Sequence, residues 1–202
     1  GVDTTACADL VRFETAALAG ALTDDQMVCL EAAFVETARQ ADRKKVSLLL
    51  IANASGRRDR TDWGWLVRRH LEEVDASDPD IAFAFAQFLA RQGPGRAEQV
   101  IHWSEVALEN RGRWTGETKS TRVHNLYKLR AAAAHAVWVS AESDLAEGLP
   151  GTDEQSAQRA HDRLAEYARD WLRVAHELDK DTAIPRQLCR SATDNIEWCE
   201  AS

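Results

Sequence analysis

Two apolar helical segments that meet at a tight turn constrain the fold of this chain more than any other feature. They lie within residues 78–110, and the turn between them is Gly93-Pro94-Gly95. Apolar residues recur at helical spacing in both segments, namely Ile81, Ala84, Phe85, Phe88 and Leu89 in the first and Ala97, Val100, Ile101, Ala107 and Leu108 in the second. Because each stripe is too wide to remain in water, the sequence predicts that the two helices pack as a hairpin.

The residue types and spacing of this hairpin resemble a tetratricopeptide repeat (TPR), a pair of helices of about 34 residues that stacks on its neighbours. The matching positions are Phe85, Ala86, Leu89, Gly93, Val100, Ala107, Leu108 and Glu109. The match is best over 79–110 and partial over 61–79 and 153–180. The resemblance implies antiparallel hairpins stacked as an α-α superhelix, and a non-catalytic scaffold that binds a protein or a peptide.

Helical patterns run through the rest of the chain as well. We expect about nine helices in a single domain over 1–202, with the last helix, 184–199, capping the array. Besides the two helices of the hairpin, the other predicted ranges are 4–18, 23–40, 42–54, 61–74, 121–142 and 152–178. The predicted fold class is therefore all-α, as a TPR-like superhelix or, alternatively, a compact helical bundle.

A net charge of −8 over 202 residues limits the partners that this chain can have. Such a surface argues against nucleic acid and would suit a basic partner. Apolar runs such as 48–52 are far shorter than the roughly 20 residues of a membrane span. Only five of the 25 basic residues are lysine, a bias typical of proteins from GC-rich bacteria.

The four cysteines form two pairs that are close in sequence, Cys7 with Cys29 and Cys189 with Cys199. An even number of cysteines near the two ends of a chain indicates two disulfides that fix the terminal helices. Four cysteines allow three pairings, and four buried reduced thiols are the alternative. Disulfides would place the protein in the periplasm or outside the cell.

The sequence predicts no catalytic residue, no metal site and no cofactor. Its six histidines are spread over four predicted helices, without an HExxH or an ExxH motif, and no cysteine spacing is CxxC. His161-Asp162 resembles the metal-binding dipeptide of the HD phosphohydrolases, an all-helical family. That family also needs a further histidine and aspartate, for which His135 and either Asp170 or Asp179 are available. A metal-dependent helical hydrolase is therefore the alternative function.

Two groups of residues are candidates for peptide binding. By the TPR resemblance, four residues of the predicted helix 121–142 would line a groove and hold a C-terminal carboxylate: Arg122, Asn125, Lys128 and Arg130. Trp65 and Trp114 lie off the apolar stripes and, with Tyr127, are candidates for exposed aromatic anchors. A further alternative is a structural subunit that buries Trp65 and Trp114 against a copy of itself.

Overall fold

The computed structural model describes residues 1–115, 119–193 and 196–200, and all the regular structure in these ranges is helical. No strand occurs in them, which confirms the predicted all-α class. The described residues contain ten α-helices, rather than about nine, and none of these is long and apolar enough to cross a membrane. The chain divides into two compact units, Gly1–Ser77 and Asp78–Ser202, and a single domain over 1–202 stays a prediction.

Four α-helices build the N-terminal unit. They are α1 (Glu14–Leu18), α2 (Asp24–Glu36), α3 (Gln40–Arg57) and α4 (Arg60–Arg69), which continues into the π-helical turn His70–Val74. Helix α2 begins where the sequence predicts because Thr23 and Gln26 form a capping box. The Thr23 hydroxyl accepts from the Gln26 N–H at 3.1 Å, and the Gln26 side chain accepts from the Thr23 N–H at 2.9 Å. The core of the unit includes Leu30, Phe34, Val46, Leu50, Val67 and Leu71.

Residues 4–18 differ from the single helix predicted there. They form two 3-10 turns, Thr4–Cys7 and Leu10–Phe13, followed by the five-residue α1. Cys7 and Phe13 are both buried, but residues six apart point about 120° away from each other around a single α-helix. The chain is interrupted between the two turns, at residues 8 and 9, so each of these side chains turns inward from its own turn. We call residues 4–18 the N-terminal strap.

Both ends of the strap are fixed to the rest of the N-terminal unit. Near its start, Cys7 forms a disulfide with Cys29 of α2, with Cα atoms 6.0 Å apart. Just after its end, Gly20 adopts a positive φ of 66° and its backbone packs directly against that of Gly56 in α3. The strap is therefore held beside α2 and α3 by one covalent and one packing contact.

The C-terminal unit contains the predicted hairpin and two longer helices. Its helices are α5 (Pro79–Ala90), α6 (Ala97–Glu109), α7 (Lys119–Glu147), α8 (Glu154–Glu177), α9 (Ala183–Ser191) and α10 (Ile196–Glu200). Helices α5 and α6 pack together as predicted, and Gly93 allows the turn with a φ of 100°. Helix α7 packs on α5, α6 and α8.

The predicted last helix, 184–199, is two helices in the structure. Helix α9 ends at Ser191 and α10 begins at Ile196. A disulfide joins Cys189 to Cys199, with Cα atoms 5.9 Å apart. Residues ten apart in one straight helix would be about 15 Å apart along its axis, so the disulfide requires the chain to turn back.

Candidate functional site

Arg122, the first residue of the predicted carboxylate clamp, is already paired within the C-terminal unit. Its Nη1 lies 2.5 Å from Asp80 Oδ1, and its guanidinium lies 5.5 Å from the centre of the Phe83 ring. Asp80 and Phe83 belong to α5, so Arg122 ties α7 to α5. Since Asp80 neutralises its charge, Arg122 attracts a peptide carboxylate less strongly than a free cation does.

Arg130 lies at the centre of a second charged cluster, formed by α6, α7 and α8. Its Nη2 donates to Asp170 at 2.8 Å, and its Nη1 lies 4.0 Å from Glu105. The rings of Tyr127 and Tyr167 lie 5.1 Å and 4.0 Å from its guanidinium. The Tyr167 hydroxyl donates to Glu105 at 2.6 Å, and burial together with this bond raises the pKa of Tyr167 to about 12. The cluster thus connects the three helices through ion pairs and hydrogen bonds.

The other two clamp residues do not join either cluster in the described contacts. Asn125 is half-buried on α7, and Lys128 is exposed. Tyr127 and Arg130 do share a cavity of ≈470 Å³, but Glu105, Glu109 and Arg111 also line it, so its charges are mixed. A carboxylate clamp on α7 therefore stays a prediction, and both of its arginines are matched by acids.

The two tryptophans predicted as exposed anchors differ in the structure. Trp65, on α4 of the N-terminal unit, is 55% exposed, and the Arg69 guanidinium lies 4.6 Å from its ring centre. Trp114 is only 5% exposed, so the prediction of an exposed anchor is wrong at this position. Trp114 directly follows the 3-10 turn Arg111–Arg113. Its N–H donates to the Arg111 carbonyl at 3.2 Å, and its side chain is buried.

A groove that the sequence did not predict lies between the N-terminal strap and α3. Its volume is ≈500 Å³. Its lining comprises the apolar residues Ala8, Leu10, Val11, Leu18, Leu48, Leu49 and Ala52 and the charged residues Asp9, Glu14, Asp42 and Lys45. Val11 and Leu18 are 71% and 73% exposed. Exposed apolar side chains that line one groove indicate an interaction site more strongly than scattered ones do. We call this feature the strap groove.

The sequence does carry a weak signal for the strap groove. If Leu10, Phe13 and Ala17 face inward on residues 4–18, then Val11 and Leu18 must face elsewhere. Val11 and Leu18 are seven residues apart, so they share a second helical face. This second apolar stripe is the sequence signal that the strap presents an apolar surface to solvent.

The histidines predicted for a hydrolase do not gather into a metal site. In the part of the chain that the structure describes, no three His, Cys, Asp or Glu side chains are placed to hold a metal. His135 and His161 both contact Trp138, with ring centres 6.0 Å and 5.5 Å away. Asp162 Oδ1 lies 3.8 Å from His161 Nδ1 and accepts a hydrogen bond from Gln158 at 2.8 Å.

The strap groove combines exposed apolar side chains, a cavity and charged residues, which makes it the best candidate site. Comparison with protein families, curated proteins and solved structures finds no match for this chain. The function is therefore inferred from the geometry and the charge of the groove.

Proposed function

We propose that this chain is a non-catalytic scaffold that binds a protein or a peptide in the strap groove. The observation that carries the proposal is the exposure of Val11 and Leu18, at 71% and 73%, on one wall of a ≈500 Å³ groove. Full burial of a valine or leucine side chain contributes roughly 1.5–3 kcal/mol. A partner that covers both side chains therefore gains a substantial driving force.

The attachment of the strap at both ends supports a binding role. The Cys7–Cys29 disulfide and the contact between Gly20 and Gly56 hold the exposed wall in place before a partner arrives. Two 3-10 turns and a five-residue helix would not keep this position alone, because helices this short are unstable in water. A wall that is already ordered loses less conformational entropy on binding.

We also propose that α5–α6 and α7–α8 are TPR-like hairpins of a superhelical stack. The proposal is supported by the repeat-like residues of 79–110, by the turn at Gly93 and by the packing of α7 on both α5 and α6. In this arrangement α7 is the first helix of the following repeat.

The two disulfides support an oxidising location. Disulfides persist mainly in exported proteins, and the structure contains two of them. We therefore propose that the protein works in the periplasm or is secreted.

A peptide-display experiment tests the proposed binding function. A random peptide library on phage is selected on the intact, oxidised chain, and the affinity of each enriched peptide is measured by fluorescence anisotropy. Val11→Ser and Leu18→Ser should each weaken binding about fivefold to tenfold, because they remove buried apolar contact.

Val35→Ser is the matched control for Val11→Ser. Val35 is 71% exposed, like Val11, but it does not line the strap groove. Circular dichroism checks that all the variants remain folded. Equal losses of affinity in the Val11 and Val35 variants, or a selection that enriches no peptide, would contradict the proposal.

Self-association is a second candidate, which the exposure of Trp65 favours. Val28 of α2 is also exposed, at 54%. Arg69, which stacks on Trp65, also binds Glu31 of α2 through two hydrogen bonds of 2.6 Å and 2.9 Å, so α2 and α4 share one surface. Sedimentation over a range of concentrations tests this function: a dimer that Trp65→Ser abolishes would support it, and a monomer at every concentration would exclude it.

A further inference from the structure

The walls of the strap groove indicate what kind of partner fits it. We propose that the occupant is an amphipathic α-helix with an apolar face about two turns long and lysine or arginine on its flanks. This inference rests on the proposed binding function and names the partner class of the same site.

The length and pitch of the two walls match a helix. On the strap wall, the exposed side chains of Val11 and Leu18 are seven residues apart, which corresponds to about two helical turns. On the α3 wall, Lys45, Leu48 and Ala52 recur at spacings of three and four residues. A partner helix that presents apolar residues at i, i+3 or i+4, and i+7 would place them along both walls.

Two other modes of peptide recognition, strand addition and polyproline binding, lack their usual structural requirements here. Strand addition needs an unpaired strand edge, and the described ranges contain no strand. Polyproline recognition needs an aromatic groove, whereas the lining of the strap groove, within the described residues, is aliphatic and charged. Of these three modes, a helix that lies in an apolar groove is the one that the walls of the strap groove fit.

The charges at the rim favour a basic partner. The groove is lined by three carboxylates and one ammonium group. The carboxylates belong to Asp9, Glu14 and Asp42, and the ammonium group belongs to Lys45. Arg39 lies 3.6 Å from Asp42, but the Arg39 side chain is 83% exposed, and exposed pairs of this kind are weak. Asp9 makes no capping hydrogen bond. The whole chain also carries a net charge of −8, which would attract a basic partner at long range.

Three synthetic peptides of about 18 residues, longer than the range in which isolated helices are marginal, test the inference. The first is a leucine–lysine peptide with leucine at i, i+3, i+4 and i+7. The second has glutamate in place of lysine, and the third contains the leucine–lysine residues in an order that destroys the apolar face. Fluorescence anisotropy gives each affinity for the intact, oxidised chain. The first peptide should bind at least about tenfold more tightly than the other two.

Variants of the chain test whether the peptide binds in the strap groove and whether the acidic residues of the groove attract it. Val11→Ser and Leu18→Ser should weaken the first peptide about fivefold to tenfold, and Val35→Ser should leave it unchanged. Glu14→Gln should reduce the salt dependence of binding. Glu166→Gln is its control, because Glu166 is exposed and does not line the groove.

The outcomes separate the partner class from the binding function. If the acidic or the reordered peptide binds as tightly as the first, or if Val35→Ser weakens binding as much as Val11→Ser, the inference is wrong. If library selection nevertheless yields peptides of another type whose affinity depends on Val11, the proposed function stands without this partner class. If no peptide of either source depends on Val11 and Leu18, both proposals fail.

Discussion

The backbones of Gly20 and Gly56 are in direct contact, and this contact fixes the end of the N-terminal strap beside α3. A Cβ atom added to Gly56 would lie 2.5 Å from the Gly20 nitrogen, closer than real Cβ atoms approach other atoms. Close by, the buried Leu22 N–H donates to Asn53 Oδ1 at 3.1 Å. The position of the wall that carries Leu18 therefore depends on the absence of a side chain at Gly56.

Gly56→Ala should destabilise the N-terminal unit. Because the clashing atoms belong to the backbone, the strap must shift, at a cost of about 1–3 kcal/mol. Urea unfolding followed by circular dichroism measures this loss. Gly112→Ala is the control, since a Cβ at Gly112 would meet no atom within 4 Å. Equal stabilities of the two variants would show that the contact is not needed.

The two disulfides should differ in their effect on binding but not greatly in their effect on stability. Their cysteines are 22 and 10 residues apart, and loop entropy predicts a loss of about 3 kcal/mol on removal of either. Only the disulfide between Cys7 and Cys29 holds the strap. Replacing both of these cysteines by serine should weaken a groove-binding peptide about tenfold, because the wall must then be ordered on binding.

The variant in which serine replaces Cys189 and Cys199 is the matched control for that experiment. It loses a disulfide of the C-terminal unit, so its peptide affinity should equal that of the unaltered chain. Anisotropy titrations are made at a temperature at which both variants are folded. If both double variants bind as tightly as the unaltered chain, then the disulfide does not prepare the groove.

The longer helices could be predicted because their sequence signals are redundant. The predicted range 152–178 corresponds to α8, Glu154–Glu177, whose apolar stripe repeats over many turns. Its cap is Asp153, one residue from the predicted Thr152, and the Asp153 side chain accepts from the Ser156 N–H at 2.7 Å. A shift of one residue at the cap does not change which face is buried.

The strap, the chain end and the groove could not be predicted, because tertiary contacts determine them. The disulfide between Cys189 and Cys199 excludes one straight helix over 184–199, and the strap is interrupted at residues 8 and 9. Periodicity alone contains neither constraint. Apolar spacing also does not distinguish a buried stripe from an exposed one, so Val11 and Leu18 were missed. Trp114 was misjudged for a related reason: a polar connector such as Arg111–Arg113 can still return a large side chain to the core.

Tyr167 should resist ionisation in the folded protein. Burial and the hydrogen bond to Glu105 raise its pKa from 10.0 to about 12. Tyr127 is the other of the two tyrosines in the chain, so Tyr127→Phe lets near-ultraviolet absorbance report Tyr167 alone. Ionisation should begin well above pH 10 while circular dichroism remains native, and Glu105→Gln should shift it to lower pH. A midpoint near pH 10 in the folded protein would contradict the prediction.

The raised pKa of Tyr167 also makes the stability of the protein depend on pH. Because the folded pKa lies above the unfolded value of 10.0, this stabilisation is fully present below pH 10. It should be lost as the pH rises from 10 to about 12. We compare the Tyr127→Phe chain with the chain that carries both Tyr127→Phe and Tyr167→Phe. The difference between their free energies of unfolding in urea should decrease over this pH interval.

His124 should make the C-terminal unit less stable in mild acid. Trp171 Nε1 donates to His124 Nε2 at 3.3 Å, and only the neutral imidazole can accept this bond. Burial lowers the pKa of His124, and the nearby Lys180 and Lys128 lower it further. Since the folded pKa lies below the unfolded value of 6.5, the unfolded chain takes up the proton first as the pH falls. Stability is therefore lost below about pH 6.5, until the folded histidine also titrates.

The comparison of His124→Gln with the unaltered chain isolates this contribution. Glutamine does not titrate, and its side-chain oxygen can still accept a hydrogen bond from Trp171. Urea unfolding at about pH 7.5 and about pH 5.5, on either side of the ordinary histidine pKa, should show a smaller acid-induced loss of stability for the variant. His102→Gln is the control, because His102 is an exposed histidine on α6 of the same unit. Equal losses in the unaltered chain and in the His124 variant would mean that the bond to Trp171 does not depend on the charge of the ring.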